Sequence, residues 1–398
     1  MRKIILVIVV CMFISVQVNA QSISTSKTFL TWHRMPNAVM YEVLIKKRYY
    51  KDIFLVKDRK ISYVSGIEVP LSYENLYYQV RPLDINRHPM AEFTAEHLIS
   101  GRNITDKMIT LGEYDKVPNS KLYQVFTWVP LSDAIYYKIK IYKIEENKYE
   151  QLREYKVIGQ DAFDYYDKVP YVDSGIYAWS VIGYDNKNNQ IIGESDKKTF
   201  VVDGNETAIA SFGDSITHGG GAVSNPPSYP EYNWQSYTEY KIRNLGYSGN
   251  TVDDLLSRFS NDVIPFKPKT LIILAGINDI RQGRKSDYVI QRLNLLKNKC
   301  IINNIIPIFV ALPPLNPENM NKVLGAKPDE YWKQEEEKVN LWIKQQKYNI
   351  DINDRLENNE GLLKPDLSVD GLHPDIEGKK IIGQAINEYI TRTKISTL

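Results

Sequence analysis

Ala208-Ile209-Ala210-Ser211-Phe212 runs without a break into Gly213-Asp214-Ser215-Ile216-Thr217-His218. The first five residues are apolar or small with no alternation, which reads as a strand buried on both faces, and the Gly-Asp-Ser turn then leads into a helix. Comparable apolar runs at 270–275 and 305–312 are separated by helical stretches at about 251–263, 288–303, 330–347 and 376–391. In the third stretch, Trp332, Val339, Trp342 and Ile343 share one face at the helical period. Apolar strands alternating with helices call for a parallel sheet covered on both sides, so residues 204–398 read as an α/β unit with its chemistry at the carboxyl ends of the strands.

Four short segments fall at those ends or at helix starts. They are Gly213-Asp214-Ser215 after the first strand, Asn244-Leu245-Gly246-Tyr247-Ser248-Gly249-Asn250-Thr251 before a helix, Gly276-Ile277-Asn278-Asp279 after the strand at 271–275, and Asp370-Gly371-Leu372-His373 before the last helix. Taken singly, each is an ordinary turn or polar loop. Together they supply what acyl transfer requires. A serine hydroxyl needs an imidazole to take its proton, and a carboxylate to hold that imidazole in the right tautomer. Residues 204–398 contain two histidines, His218 and His373, and only His373 has a carboxylate three positions before it in a loop. The charge that develops on the attacked carbonyl needs donors, for which the Ser215 N–H, the main chain at Gly249 and the Asn278 amide are candidates.

These four blocks, in this order over residues 206–395, resemble the SGNH, or GDSL-type, hydrolases. The resemblance implies a flavodoxin-like, three-layer α/β/α domain of an esterase or lipase. Carried over residue by residue, it implies Ser215 as nucleophile, His373 as base, Asp370 as its orienter, and the Ser215 N–H, the Gly249 N–H and the Asn278 side chain as the oxyanion hole. The stretch 312–331, with Pro313, Pro314, Asn316 and Pro317, is expected to form a loop at the edge of the site. Between Ser215 and the next helix, Gly219-Gly220-Gly221 and a proline-stiffened segment carrying Tyr229, Tyr232 and Trp234 suggest a substrate rim, to which His218 also belongs. A helix start with Trp234 in the core is the competing reading of that segment.

The upstream half repeats. Thr31-Trp32 through Ala38 and Tyr41 to Ile45 matches Thr127-Trp128 through Ala134 and Tyr137 to Ile141 at an offset of 96 residues. Val69-Pro70 followed by Tyr77 recurs as Val169-Pro170 followed by Tyr177 at an offset of 100. Tyr41, Val43 and Ile45, and Tyr137, Ile139 and Ile141, alternate as strands do, and turn clusters such as 185–189 separate the runs. Two antiparallel β-sandwiches follow, at 21–104 and 105–203, and their Trp, Tyr and Pro spacings resemble fibronectin type III modules. Their tyrosines are expected to pack cores and corners. Every site candidate lies beyond 203, so the 204–398 unit alone is expected to hydrolyse a small ester.

Residues 1–20 read as a secretory signal peptide: Arg2-Lys3, an apolar run from Ile4 to about Val16, and Val18-Asn19-Ala20 before Gln21. The run is shorter than the roughly 20 apolar residues of a membrane span, so a secreted or periplasmic chain with no stable membrane insertion is expected. Its removal leaves 48 basic against 48 acidic residues, which gives no sign of a nucleic-acid partner, and one cysteine, Cys300, which allows no intrachain disulfide. Histidine and cysteine spacing gives no zinc cluster, and no phosphate-cradling glycine motif follows the first strand, so no metal or cofactor is expected. The expected function is a secreted serine esterase that removes short acyl groups, acetyl first among them, from an acylated saccharide. A lipase, lysophospholipase or thioesterase with the same machinery, and a non-catalytic glycan-binding surface protein, are the alternatives.

Overall fold

The computed structural model describes residues 27–51, 53–100, 107–114, 121–185, 190–222 and 225–395. The leader at 1–20 and most of the 185–189 turn lie outside them. The first unit contains β1 (Lys27–Thr31), β2 (Met40–Tyr50), β3 (Ile53–Ser62), β4 (Gly66–Pro70), β5 (Tyr77–Leu83) and β6 (His97–Leu98). The second contains β7 (Thr110–Leu111), β8 (Val125–Trp128), β9 (Tyr136–Glu145), β10 (Lys148–Ile158), β11 (Asp164–Tyr166), β12 (Gly175–Tyr184), β13 (Ile191–Glu194) and β14 (Lys198–Val202). Every pairing among these strands is antiparallel, and the two units share a plan. β1 pairs with β4 as β8 does with β11, while β2 lies between β3 and β5 as β9 lies between β10 and β12.

The 96-residue offset is a repeat of contacts as well as of letters. The Tyr41 hydroxyl accepts from the Met35 N–H at 3.1 Å and the Tyr137 hydroxyl from the Leu131 N–H at 2.9 Å. Trp32 meets Tyr41 with ring centroids 5.4 Å apart, and Trp128 meets Tyr137 at 5.2 Å. Each tyrosine thus satisfies a turn amide that would otherwise be lost from water, while its ring fills the core beneath. The match at offset 100 is different in kind. Val80 and Val181 are the residues opposite Val43 and Ile139, so Tyr78 corresponds to Trp179, and Tyr77 has no counterpart in Tyr177. Val169-Pro170 likewise lies past the end of β11, whereas Val69-Pro70 closes β4. Strand alternation makes this one-residue slip decisive, since Tyr78 and Trp179 both face their cores.

In the third unit β15 (Ile209–Gly213), β16 (Ile242–Asn244), β17 (Thr270–Leu274), β18 (Ile306–Val310) and β19 (Asn349–Ile350) form a parallel sheet in the order β16-β15-β17-β18-β19. This is the flavodoxin-like doubly wound order, in which the connections diverge from the first strand and leave a crevice at its carboxyl end. Every residue of β15 and β17 is buried, as expected of strands covered on both faces. The helices are α1 (Ser215–His218), α2 (Val252–Asp262), α3 (Ile277–Arg281), α4 (Ser286–Ile302), α5 (Pro317–Leu324), α6 (Trp332–Lys344), α7 (Asn353–Leu356) and α8 (Ile376–Thr393). A capping box between Thr251 and Asp254 starts α2, which buries Val252, Leu255 and Phe259. In α6, Trp332, Val339 and Ile343 are buried and Trp342 packs against the same core. The stretch 312–331, expected as a loop, contains α5, capped by Asn316 with Pro317 in its first turn.

The units are not separate bodies on a string. Leu122 and Tyr123 belong to the hydrophobic core of the α/β unit, alongside Phe212 and Trp234. Arg34 of the first unit lies over the rings of Tyr229 and Tyr232 and bonds Asn225 and Glu231. Cys300 is buried, which pushes its thiol up to about 12 and leaves it protonated.

Replacing Tyr137 with Phe keeps the ring but leaves the Leu131 N–H without its acceptor inside the core. That change is expected to cost about 1–3 kcal/mol, read as a lower urea midpoint; an unchanged midpoint would mean that the amide finds water instead.

Candidate active site

The site begins where β15 ends. A Cβ on Gly213 would lie 2.1 Å from the Leu274 carbonyl oxygen, so only glycine lets the two strands stay this close at the turn. Asp214 then caps α1, its carboxylate accepting from the Ile216 N–H at 2.9 Å. Ser215 follows as the first residue of α1, with its hydroxyl at the cleft. The Ser215 Oγ lies 2.9 Å from His373 Nε2, and His373 Nδ1 lies 2.8 Å from Asp370 Oδ2. The three side chains therefore form one hydrogen-bonded chain across 158 residues of sequence.

Asp370 is a well-held carboxylate. Burial opposes its charge most strongly, but the His373 ring and the N–H groups of His373 and Leu372, at 2.7 and 2.9 Å from Oδ1, outweigh burial and keep its pKa below the usual value. With Asp370 ionised, His373 donates through Nδ1, and Nε2 presents its lone pair to the Ser215 hydroxyl. The loop is tied from within: the Ser368 hydroxyl donates to the His373 carbonyl at 2.9 Å, and Asp375 accepts from the Val369 N–H at 2.7 Å.

The three donor candidates line the same cleft of about 270 Å³ as Ser215 and His373. Asn278, at the start of α3, donates through Nδ2 to the Asn250 carbonyl at 3.0 Å, while Arg281 Nε donates to its Oδ1 at 2.8 Å. Its amide orientation is thereby set, with the second Nδ2 hydrogen left for the cleft. At Gly249 the backbone φ is +83°, yet an added Cβ would meet nothing within 4 Å. Glycine is therefore needed here for the left-handed backbone that turns the loop at the cleft, and not to make room for a close neighbour.

The expected rim is not a rim. His218, Tyr232 and Trp234 are fully buried and Tyr229 nearly so. Trp234 is in the core of the α/β unit, and Tyr229 and Tyr232 hold Arg34 between the units. His218 Nδ1 faces Ser248 and its Nε2 lies 3.0 Å from the Tyr123 carbonyl, so it joins the loop preceding α2 to the second β-unit. Burial above all pulls its pKa down to about 3. The segment 225–237 has too many apolar side chains to face water once two neighbouring units can cover it.

Two residues were not singled out from sequence. Tyr166, the last residue of β11, forms part of the cleft wall and meets the His218 ring edge-on at 5.9 Å. Arg281, one helical turn beyond Asn278, also lines the cleft. The three-residue spacing after Asn278 is the signal that could have found Arg281, whereas no local signal marks a tyrosine in another unit. Beneath α1, Lys379 is fully buried and donates to the Ile216 carbonyl at 2.8 Å, its pKa drawn by burial down to about 7. Among the described residues no group of three or more His, Cys, Asp or Glu side chains is placed to hold a metal.

Residues 211–381 match the model of the GDSL-like Lipase/Acylhydrolase family, so this stretch is a GDSL-like lipase/acylhydrolase domain, which points to an ester-hydrolysing enzyme. No curated protein matches the chain. Among solved structures, it is similar to a GDSL-like lipase from Bacteroides thetaiotaomicron, at 22% identity over 46% of this chain and 88% of that one, with a TM-score of 0.37. A lipase/acylhydrolase from Enterococcus faecalis matches at 21% identity over 46% and 95%, with a TM-score of 0.38. A catalytic mutant of an acetylxylan esterase from Geobacillus stearothermophilus matches at 23% identity over 46% and 93%, with a TM-score of 0.35.

Two outcomes are expected from this arrangement. Cutting the chain before residue 204 removes Leu122 and Tyr123 from the α/β core and Tyr166 from the cleft, so the 204–398 fragment should be poorly soluble or inactive on small esters; full activity would show that these contacts are dispensable. The second concerns acid stability. His218 has a folded pKa of about 3 against about 6.5 unfolded, so between these values the unfolded chain binds the extra proton and stability is lost as pH falls. In His218→Gln the slope of unfolding free energy against pH, from 6.5 down to 4, should be shallower by up to one proton, and an identical slope would place His218 in contact with solvent.

Proposed function

We propose that the protein is an exported serine esterase that removes short acyl groups, acetyl above all, from carbohydrate, with Ser215, His373 and Asp370 as its catalytic residues. The single observation that carries the reading is the hydrogen-bonded chain from Ser215 Oγ through His373 to Asp370, open to a cleft that Asn278 and Gly249 also line. In the reaction, His373 Nε2 takes the hydroxyl proton as Ser215 Oγ bonds to the ester carbonyl carbon. The carbonyl oxygen gains a negative charge, which the Ser215 N–H, the Gly249 N–H and the Asn278 Nδ2 receive. Collapse of this intermediate breaks the bond to the alcohol, which leaves with the proton held on His373. Water then repeats the sequence on the acyl-enzyme, its proton passing to His373 and its oxygen to the carbonyl carbon, and Ser215 is released with the free acid. Asp370 stays ionised throughout, keeping Nδ1 protonated and offsetting the imidazolium charge.

The cleft supports a short acyl group. Its wall is mostly glycine and polar side chains, with Ala222, Leu324 and Leu372 as the aliphatic contributions. Each CH₂ transferred from water gains about 0.8 kcal/mol only where apolar surface receives it, and a volume of about 270 Å³ offers little beyond a few carbons. Within this reading the chain is divided as 21–104, 105–203 and 204–398, with the first two units as fibronectin type III-like supports and residues 1–20 as a cleaved leader. Tyr166 replaces the buried aromatics as the ring available to a sugar.

Ser215→Ala should fold normally and lose at least about 10³-fold in kcat on acetyl esters, and His373→Ala should lose a similar factor. Across acetyl to dodecanoyl esters of one alcohol, kcat/KM should peak by four carbons. A rise out to twelve carbons would favour a lipase, and retained turnover by Ser215→Ala would remove Ser215 from the mechanism.

A further inference from the structure

We propose that Arg281 makes this cleft selective for esters of carboxylate-bearing, acidic sugars; the proposal rests on the esterase reading above and names its substrate class. The argument is one of uncommitted charge. The charged or ionisable side chains lining the cleft are Arg281, Asp370, His373 and the phenol Tyr166. Asp370 is fully engaged, with Oδ2 on the His373 ring and Oδ1 on two backbone N–H groups. Arg281 is half-buried and spends only Nε, on Asn278 Oδ1, while its Nη groups meet no acceptor among the described residues.

The neighbouring arginines are arranged otherwise. Arg284 bonds Asp279 and Asp253, Arg292 reaches Asp253, and Arg258 bonds Asp262. Arg281 has no carboxylate within ion-pair distance among the described residues; the acid whose field it feels is Asp214, which caps α1 and is itself buried. A half-buried guanidinium without a counter-charge is costly unless a bound anion supplies one. Its planar fork, fixed at Nε and open at both Nη, fits a carboxylate through two parallel N–H···O bonds. Because Nε is bonded to the amide that faces the reacting carbonyl oxygen, that carboxylate lies close to the ester. Tyr166 on the cleft wall gives the ring of such a sugar an aromatic surface.

The test uses full-length Ser215→Ala protein, which binds without turnover, and two methyl glycosides carrying one acetyl at the same position, one of glucuronic acid and one of glucose. Calorimetry should give at least tenfold tighter binding of the glucuronide, and in Ser215→Ala/Arg281→Met that preference should fall to about one. Raising the salt from about 10 mM to about 1 M, which shortens screening from about 30 to about 3 Å, should also shrink it, and needs no further substitution. Equal affinity for the two sugars, a preference unmoved by salt, or one kept by the double variant would overturn the proposal. Failure of the esterase reading shows separately, as unsubstituted enzyme that releases no acetate from either sugar while the binding preference persists.

Discussion

The clamping of α1 against its surroundings is the constraint on which the cleft depends. This helix is four residues long and cannot hold its own shape, since one turn of helix costs more in fixed dihedrals than its few hydrogen bonds return. Two of its carbonyls are instead taken by buried lysine side chains. Lys379 donates to Ile216 from below, and Lys121 bonds the His218 carbonyl and the Asn233 side chain from the side. Burial lowers the pKa of both lysines; the Lys379 side chain lowers that of Lys121 further, whereas the carboxylates of Asp214, Asp375 and Asp370 act against burial at Lys379. Displacing α1 by an ångström would move Ser215 out of reach of His373.

That clamp explains why the β-units are part of the site. Lys121, Leu122 and Tyr123 form one short segment that enters the α/β unit, where they bond α1, fill the core and accept from His218. The Tyr123 hydroxyl also donates to Asp262 at 2.8 Å, at the end of α2, the helix that follows the Gly249 loop. One segment from outside the hydrolase sheet therefore braces both α1 and α2. Tyr166 and Arg34 extend the same contact to the cleft wall and to the 229–232 segment.

The central strands and helices were legible because their signals are local and redundant. β15, β17 and β18 are mostly apolar runs without alternation, and α2 carries its own capping box. β16 and β19 were missed, being three and two residues long at the sheet edges, too short to show a period. The partners Ser215, His373 and Asp370 stood out as residue types at the right ends of the right elements. The aromatic rim failed for a general reason: Tyr229, Tyr232 and Trp234 beside a nucleophile look the same in sequence whether a sugar or a neighbouring unit covers them. Only the position of Arg34 and the α/β core decides between the two. Tyr166 was hidden for the converse reason, since its neighbours in β11 describe a strand and nothing about what that strand faces.

The central claim is that Ser215 is a nucleophile activated by His373. Brief treatment of the full-length protein with a fluorophosphonate, followed by peptide mass spectrometry, measures this directly, because the reagent bonds to an activated serine oxygen with loss of fluoride. A single phosphonyl adduct on the peptide containing Ser215, absent in His373→Ala, is the result the account predicts. An adduct on a different residue, or an unlabelled Ser215 in protein whose ester hydrolysis the reagent has abolished, would contradict it.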